Sequence, residues 1–122
     1  MIRPRRYRLN NSIRSLVSDI HLSVNDLILP VFVHDQLESK PIASLPGHTC
    51  YDQISLLKYC ETIVQSGIKA VAIFPSIDGD KKSSSCEEAI NENNLMCSVT
   101  RRIKKAFGDD LLIIGDVALD PY

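Results

Sequence analysis

The sequence lacks a surplus of either charge: 14 lysines and arginines stand against 15 aspartates and glutamates, a formal net charge of -1 over 122 residues. That excludes the overall basic field that would draw a whole domain onto nucleic acid. Long hydrophobic runs are missing too. The longest, Leu27 to Val33 and Ala70 to Phe74, end well short of the roughly 18 to 20 apolar residues that a membrane span needs, so a soluble protein is expected. The early arginines could open a targeting segment, but no apolar core with a small-residue cleavage site follows them. They are expected in the mature, cytoplasmic protein. Cysteines are few and badly spaced for a metal: Cys50, Cys60, Cys86 and Cys97 lie 10, 26 and 11 positions apart. With no C-x-x-C pair and no histidine beside any of them, a zinc ribbon is not expected. Cys60 and Cys97 fall in apolar helical patterns and read as reduced core thiols.

What is present is enough apolar material, 44% of the residues, for one ordinary globular core. Leu27 to Val33 is continuously apolar, the pattern of a strand buried on both faces. Its Pro30 cannot donate a ladder hydrogen bond and should sit at an irregularity or near the end of the paired stretch. A turn-rich segment, Pro41 to Gly47, follows. From Gln53 to Ser66, helical spacing puts Ile54, Leu57, Cys60, Ile63 and Val64 on one face, with Asp52 as N-cap and Gly67 as the stop. Ala70 to Pro75 is a second buried-type strand, and the polar stretch from Ser76 to Asn93 reads as a long loop. A second amphipathic helix over Asn94 to Phe107 turns Leu95, Met96, Val99, Ile103 and Phe107 inward and Arg101, Arg102, Lys104 and Lys105 outward; Gly108 ends it. Leu111 to Asp116 is a third strand.

This β-α-β-α-β order calls for a parallel sheet with right-handed crossovers. Two helices cannot cover both faces of such a sheet. The expected architecture is α/β: the first part of a (β/α)8 TIM barrel, a fold of about 250 residues, with an N-terminal arm over residues 1–24 and about three barrel strands within 25–122.

Asp116 and Asp120 are the residues most suggestive of chemistry. A carboxylate directly after an apolar strand lies at the strand's C-terminal end, where parallel α/β sheets place their active sites. Two carboxylates four apart, with Pro121 stiffening the turn, could hold a cation or orient an ammonium group. Position alone does not separate this from the plainer reading, in which Asp116 caps a turn and Asp120 is solvated. The loop Asp78 to Lys82 fails as a calcium loop, because Lys82 and Ser83 occupy the places of a third ligand and the turn glycine. His21, His34 and His48 are scattered; His34, just past the first strand, reads as a polar rim residue. Arg3, Arg5, Arg6 and Arg8, interrupted by Tyr7, suit a contact with another protein chain better than with nucleic acid, since no second basic patch lies nearby.

Five stretches, in order, resemble one family, the porphobilinogen synthases or 5-aminolevulinate dehydratases. They are the arm Arg3-Pro4-Arg5-Arg6, the strand Asp26 to Val33, the stretch Ser44-Leu45-Pro46-Gly47, the strand Ala70 to Pro75, and the run Asp116-Val117-Ala118-Leu119-Asp120-Pro121-Tyr122. The resemblance implies a barrel whose arm, through residues such as Arg3, Arg5 and Arg6, contacts a neighbouring subunit in a homo-oligomer, usually an octamer. It also implies a lyase that condenses two 5-aminolevulinate molecules into porphobilinogen with loss of two waters in heme biosynthesis. Family members form Schiff bases on two lysines, a role suited to buried lysines of lowered pKa. No lysine here falls in a buried strand, so the chain alone is expected to be inactive.

Zinc-dependent members carry cysteines at the positions of Ala118 and Asp120, where this sequence offers no thiolate, so zinc is not expected at the site. The resemblance is to the aspartate type, in which the matching Asp116 and Asp120 are active-site carboxylates that interact with substrate amino groups and, at Asp120 through water, with a monovalent or magnesium ion. Magnesium in such members is more often an allosteric ion at a subunit interface, with ligands not placed in this sequence. The alternative is a non-catalytic α/β fragment or module that binds a protein partner through its arm. A phosphate-accepting receiver domain is disfavoured, because the first strand lacks the acidic cluster such a site needs.

Overall fold

A computed structural model describes residues 5–122; Arg3 lies outside the described residues. Between residues 5 and 27 nothing is buried. This stretch holds a short 3-10 turn, Arg6–Arg8, and the helix α1, Asn11–Leu16, whose N-cap Asn10 accepts the Ile13 N–H at 2.9 Å. Tyr7, Leu9, Leu16, Ile20 and Leu22 are all exposed.

Five strands form one sheet: β1 (Ile28–His34), β2 (Lys40–Pro41), β3 (Thr49–Tyr51), β4 (Ala70–Ser76) and β5 (Leu112–Gly115), in the order β2-β3-β1-β4-β5. The three long apolar runs become β1, β4 and β5, all parallel, with Ile28 opposite Ala70 and Ala70 opposite Leu112. Pro30 fits because β3 pairs with β1 only from Phe32 onward, leaving one edge of β1 at Pro30 with no ladder to disrupt. The turn-rich segment contains more order than its composition suggests. β2 pairs antiparallel with β3, and β3 runs parallel to β1. Strands of two and three residues carry no readable period; pairing with β1 creates β3, and pairing with β3 creates β2. As the edge strand, β2 tolerates Pro41.

Between β3 and β4 runs α2 (Gln53–Gln65), and between β4 and β5 runs α3 (Leu95–Phe107). The carboxylate of Asp52 caps α2 by accepting the N–H groups of Ile54 and Ser55, both at 2.9 Å, and it also accepts the Ser39 hydroxyl at 2.8 Å. Hydrogen bonds from Ser55 and then Ser39 hold this carboxyl well below the usual carboxylate range. Gly67, at φ +87°, takes the left-handed conformation that stops the helix. The inward face of α2 is the expected one at Cys60 and Ile63, with Leu57 and Val64 packed against the core, and departs from it at Ile54. Leu56, Cys60 and Ile63 are buried, whereas Ile54 is 65% exposed. Apolar positions wrap so much of this helix that period alone does not choose a face, and packing against β1, β3 and α3 selects the i, i+4, i+7 stripe. In α3 the expected face holds, with Leu95, Val99 and Ile103 buried and Met96 and Phe107 packed against them.

Both helices pack on one face of the sheet, over Val31, Val33, Val71 and Ile73. Each fully buried aliphatic side chain there contributes about 1.5–3 kcal/mol. Cys60 belongs to this core, and burial pushes its thiol up to about 11; all four cysteines are free thiols. The other face carries the alternate residues in register: Ile28, Ala70 and Leu112 in one row, Pro30, Ala72 and Ile114 in the next, then Phe32 and Phe74. Ile28, Leu112 and Ile114 are exposed there. The expectation of strands buried on both faces is therefore met on one face only, because none of the described elements covers the inner one. The sheet is open. Among the described residues, no helix is long and apolar enough to cross a membrane.

Candidate active site

The C-terminal ends of β1, β4 and β5 meet around a cleft of about 370 Å³ lined by Phe32, Phe74, Pro75, Ser76, Ile77, Lys82, Asp116, Asp120 and Pro121. Parallel register makes this convergence unavoidable: Phe32 stands beside Phe74, their ring centroids 5.7 Å apart, and Ile73 beside Gly115, one residue before Asp116. Asp120 comes back to the same cleft through a turn closed by the Tyr122 N–H donating to the Leu119 carbonyl at 3.0 Å, with Asp120 and Pro121 at its centre. The two carboxylates singled out from sequence thus share one cleft, and both are exposed.

A second, more apolar cleft of about 370 Å³ adjoins it, lined by Phe32, Ile42, Ser44, Leu45, Cys50 and Ser76. Phe32 and Ser76 belong to both. The stretch from Ser44 to Gly47 therefore walls the neighbouring chamber, and His48 sets its ring edge-on to Phe32 at 6.5 Å.

The segment between β4 and α3 is held to the rest of the fold at several points. It contains two 3-10 turns, Gly79–Lys81 and Glu87–Ile90. Asp78 accepts the Gln36 side-chain amide at 3.3 Å, and Lys81 pairs with Asp35 at 2.5 Å. The Lys81 hydrogen bond holds the Asp35 carboxyl below its ordinary value, and the same bond pushes the Lys81 ammonium up. At the far end, buried Asn94 caps α3 by accepting the Cys97 N–H at 2.8 Å and donates to the carbonyls of Glu88 and Ala89. Cys86, the one non-glycine with positive φ among the described residues, places Sγ 3.9 Å from the carbonyl oxygens of Leu119 and Tyr122.

His34 is not the rim residue expected from its position. It is 5% exposed, its Nδ1 accepts the Gln36 N–H at 3.0 Å, and its Nε2 has no hydrogen-bond partner among the described residues. The sheet continues through His34, opposite Ser76, and the turn at Gln36 encloses the ring. Arg5 and Arg6 are exposed in the N-terminal stretch. Every lysine is exposed, and no group of three or more His, Cys, Asp or Glu among the described residues is placed to hold a metal.

Sequence reasoning missed Lys82, which had been seen only as part of a failed calcium loop. It missed Ser76 as well. The available signal was that Ser76 ends a parallel strand and Lys82 lies in the loop leaving that end, the same argument that picked out Asp116.

Comparison with known proteins gives a consistent picture. The family profile described as delta-aminolevulinic acid dehydratase matches residues 1–122. The chain is 40% identical over 121 residues to the delta-aminolevulinic acid dehydratase of Chlamydia pneumoniae, covering 98% of this chain and 36% of that protein. It is 36% identical to the chloroplastic enzyme of Chlamydomonas reinhardtii, covering 98% of this chain and 31% of the relative. The crystal structure of the Toxoplasma gondii enzyme in complex with the reaction product porphobilinogen superposes with a TM-score of 0.92 at 41% identity, over 100% of this chain and 34% of that one. The chain therefore spans about a third of these relatives, and its open sheet is part of a TIM barrel.

Proposed function

Since the chain belongs to the delta-aminolevulinic acid dehydratase (porphobilinogen synthase) family, we propose that it supplies the first part of an enzyme that condenses two 5-aminolevulinate molecules into porphobilinogen. The observation that carries this is the convergence of Asp116 and Asp120 on one cleft at the C-terminal ends of three parallel strands. Carboxylates so placed attract and orient a substrate ammonium group, while the Phe32 and Phe74 rings give the carbon skeleton an apolar wall. The Schiff-base lysines that the family resemblance implies are not supplied by this chain, whose lysines are all exposed. Alone it makes no product.

The donor set of two carboxylates with Ala118 between them suits a hard cation, magnesium or a monovalent ion, and not zinc. Asp120, with Asp116 beside it, would hold such an ion through water. Bound there, the cation would supply positive charge to polarise a substrate oxygen. The exposed arm, with Arg5, Arg6 and its apolar residues Leu9, Leu16 and Ile20, suits contact with a neighbouring copy in a homo-octamer. Four reduced thiols fit a cytoplasmic setting.

The test is Asp120→Ala in the full-length polypeptide that contains residues 1–122, assayed for porphobilinogen from 5-aminolevulinate. Loss of a charged group aimed at the reacting substrate should lower turnover by about a hundredfold or more. Unchanged turnover would remove Asp120 from the site.

A further inference from the structure

We propose that His34 is a positioning residue for one wall of the cleft and makes that wall sensitive to protons. The inference goes beyond the proposed function, and its test does not depend on it. His34 ends β1, 5% exposed, opposite Ser76, which lines the cleft. A backbone N–H can only donate, so the Gln36 N–H, 3.0 Å from Nδ1, requires that Nδ1 carry no proton. The ring is therefore neutral, with its proton on Nε2, which has no partner among the described residues. A buried ring with one nitrogen committed and the other unpartnered has nothing else to hold it when the first bond is lost.

The turn that His34 holds is the anchor of the loop after β4. Gln36 donates its side-chain amide to Asp78 at 3.3 Å, and its Oε1 accepts from Lys40. Asp35 pairs with Lys81 at 2.5 Å and accepts the Gln53 amide at 3.0 Å. Asp78 and Lys81 bracket the 3-10 turn that follows Ser76 and Ile77, two residues of the cleft lining. A proton on Nδ1 sets N–H against N–H, and the Gln36 amide must turn away. The charged imidazole then competes with Lys81 for the Asp35 carboxylate beside it in the chain. One proton thus loosens the ties at both Gln36 and Asp35. The charged and titratable groups around this turn are Asp35 itself, Tyr51 on β3, Lys40 on β2, Asp78 and Lys81 on the loop, Asp52 at the start of α2, and Arg102 on α3. Carboxyl groups ordinarily titrate near about pH 4, and tyrosine, lysine and arginine at about pH 10 or above, so among these side-chain types imidazole is the one that changes charge between about pH 8 and 5. Asp35 in particular, held below its ordinary value first by the Lys81 hydrogen bond, stays ionised through that window.

Hydrogen exchange read by mass spectrometry on the full-length polypeptide that contains residues 1–122 tests the proposal. With α2 as internal reference, protection at Gln36 and in residues 79–82 should fall about tenfold or more between about pH 7.5 and about pH 5.5. His34→Asn keeps an oxygen to accept the Gln36 N–H and takes up no proton, so its protection should change by less than about twofold over the same interval. His21 and His48 remain in that variant, so their titration cannot produce the difference. Unchanged protection in the wild type would overturn the proposal, and so would an equal fall in His34→Asn. Should that variant fail to fold, the slow exchange of the His34 C2 hydrogen, which follows the charge of the ring, gives its titration in the wild type. Loop protection must then fall along the same curve, and a fall at a different pH overturns the proposal as well.

Discussion

The two faces of the sheet are made by the same strands, one residue out of phase, and they have opposite fates. On the outer face Val31, Val33, Val71 and Ile73 disappear under α2 and α3, while on the inner face Ile28, Leu112 and Ile114 stay exposed. The inner rows are no less apolar than the outer ones. They differ in having no partner element among the described residues of a chain that spans about a third of its relatives, and in ending at their C-terminal rim on Phe32, Phe74, Lys82 and the two aspartates. Stability and chemistry are thus assigned to opposite sides of one layer. The outer face is a core within this chain; the inner face is the side that a closed barrel turns inward, with the candidate site at its C-terminal rim.

The sharpest way to break this division is to remove one side chain from each side. Ile103, fully buried under the outer face, should cost about 2–5 kcal/mol when changed to Ala, because the cavity it leaves adds to the lost transfer energy. Leu112, on the inner face and 62% exposed, should cost no more than about 0.5 kcal/mol when the same change is made in residues 1–122 alone. Urea unfolding followed by circular dichroism measures both. Equal losses would mean that the inner face is packed in solution.

A smaller effect is expected at Asp52, which fixes where α2 begins on the outer face. Asp52→Ala should cost about 1 kcal/mol, within the usual range for a helix N-cap. The wild-type contribution has a definite pH dependence. The folded carboxyl is held below its unfolded value by the Ser55 and Ser39 hydrogen bonds, so the unfolded chain takes up a proton first as the pH falls. The stability is fully present at neutral pH and drains away as the pH drops below about 4. Asp52→Ala should therefore flatten the acid limb of the stability profile, and an unchanged limb would remove Asp52 from that role.

Much of the outer face was legible in the sequence because its determinants are local. Continuous apolar runs marked β1, β4 and β5, and Asp52, Gly67 and Gly108 marked helix ends through capping and positive φ. The turn at Asp120-Pro121 could be tied to a strand end for the same reason. Features made by tertiary contact were not legible. The pairing of β2 with β3 depends on β1, the choice of Leu56 over Ile54 depends on what α2 packs against, and the burial of His34 depends on the turn at Gln36. Lys82 was hidden because it looks like any loop lysine until its neighbour is seen holding Asp35.

The smallest expected effect on stability comes from that pair, and it bears most directly on how the two faces are joined. Asp35 and Lys81 are each about a third or more exposed, at 34% and 40%. Water and salt screen such a pair, so Asp35→Asn should cost under about 1 kcal/mol. Lys81 holds the folded Asp35 carboxyl below its ordinary value, so even this small contribution is present at neutral pH and lost as acid protonates the carboxyl. Its effect on the loop should be larger than its effect on the fold. The pair joins the end of β1 to the turn that presents Lys82, so amide hydrogen exchange in residues 79–82 should quicken in Asp35→Asn while exchange in α2 and α3 stays as it was. Equal quickening in the helices would show that the pair supports the outer core, and no change in the loop would mean that Gln36 and Asp78 hold it without help.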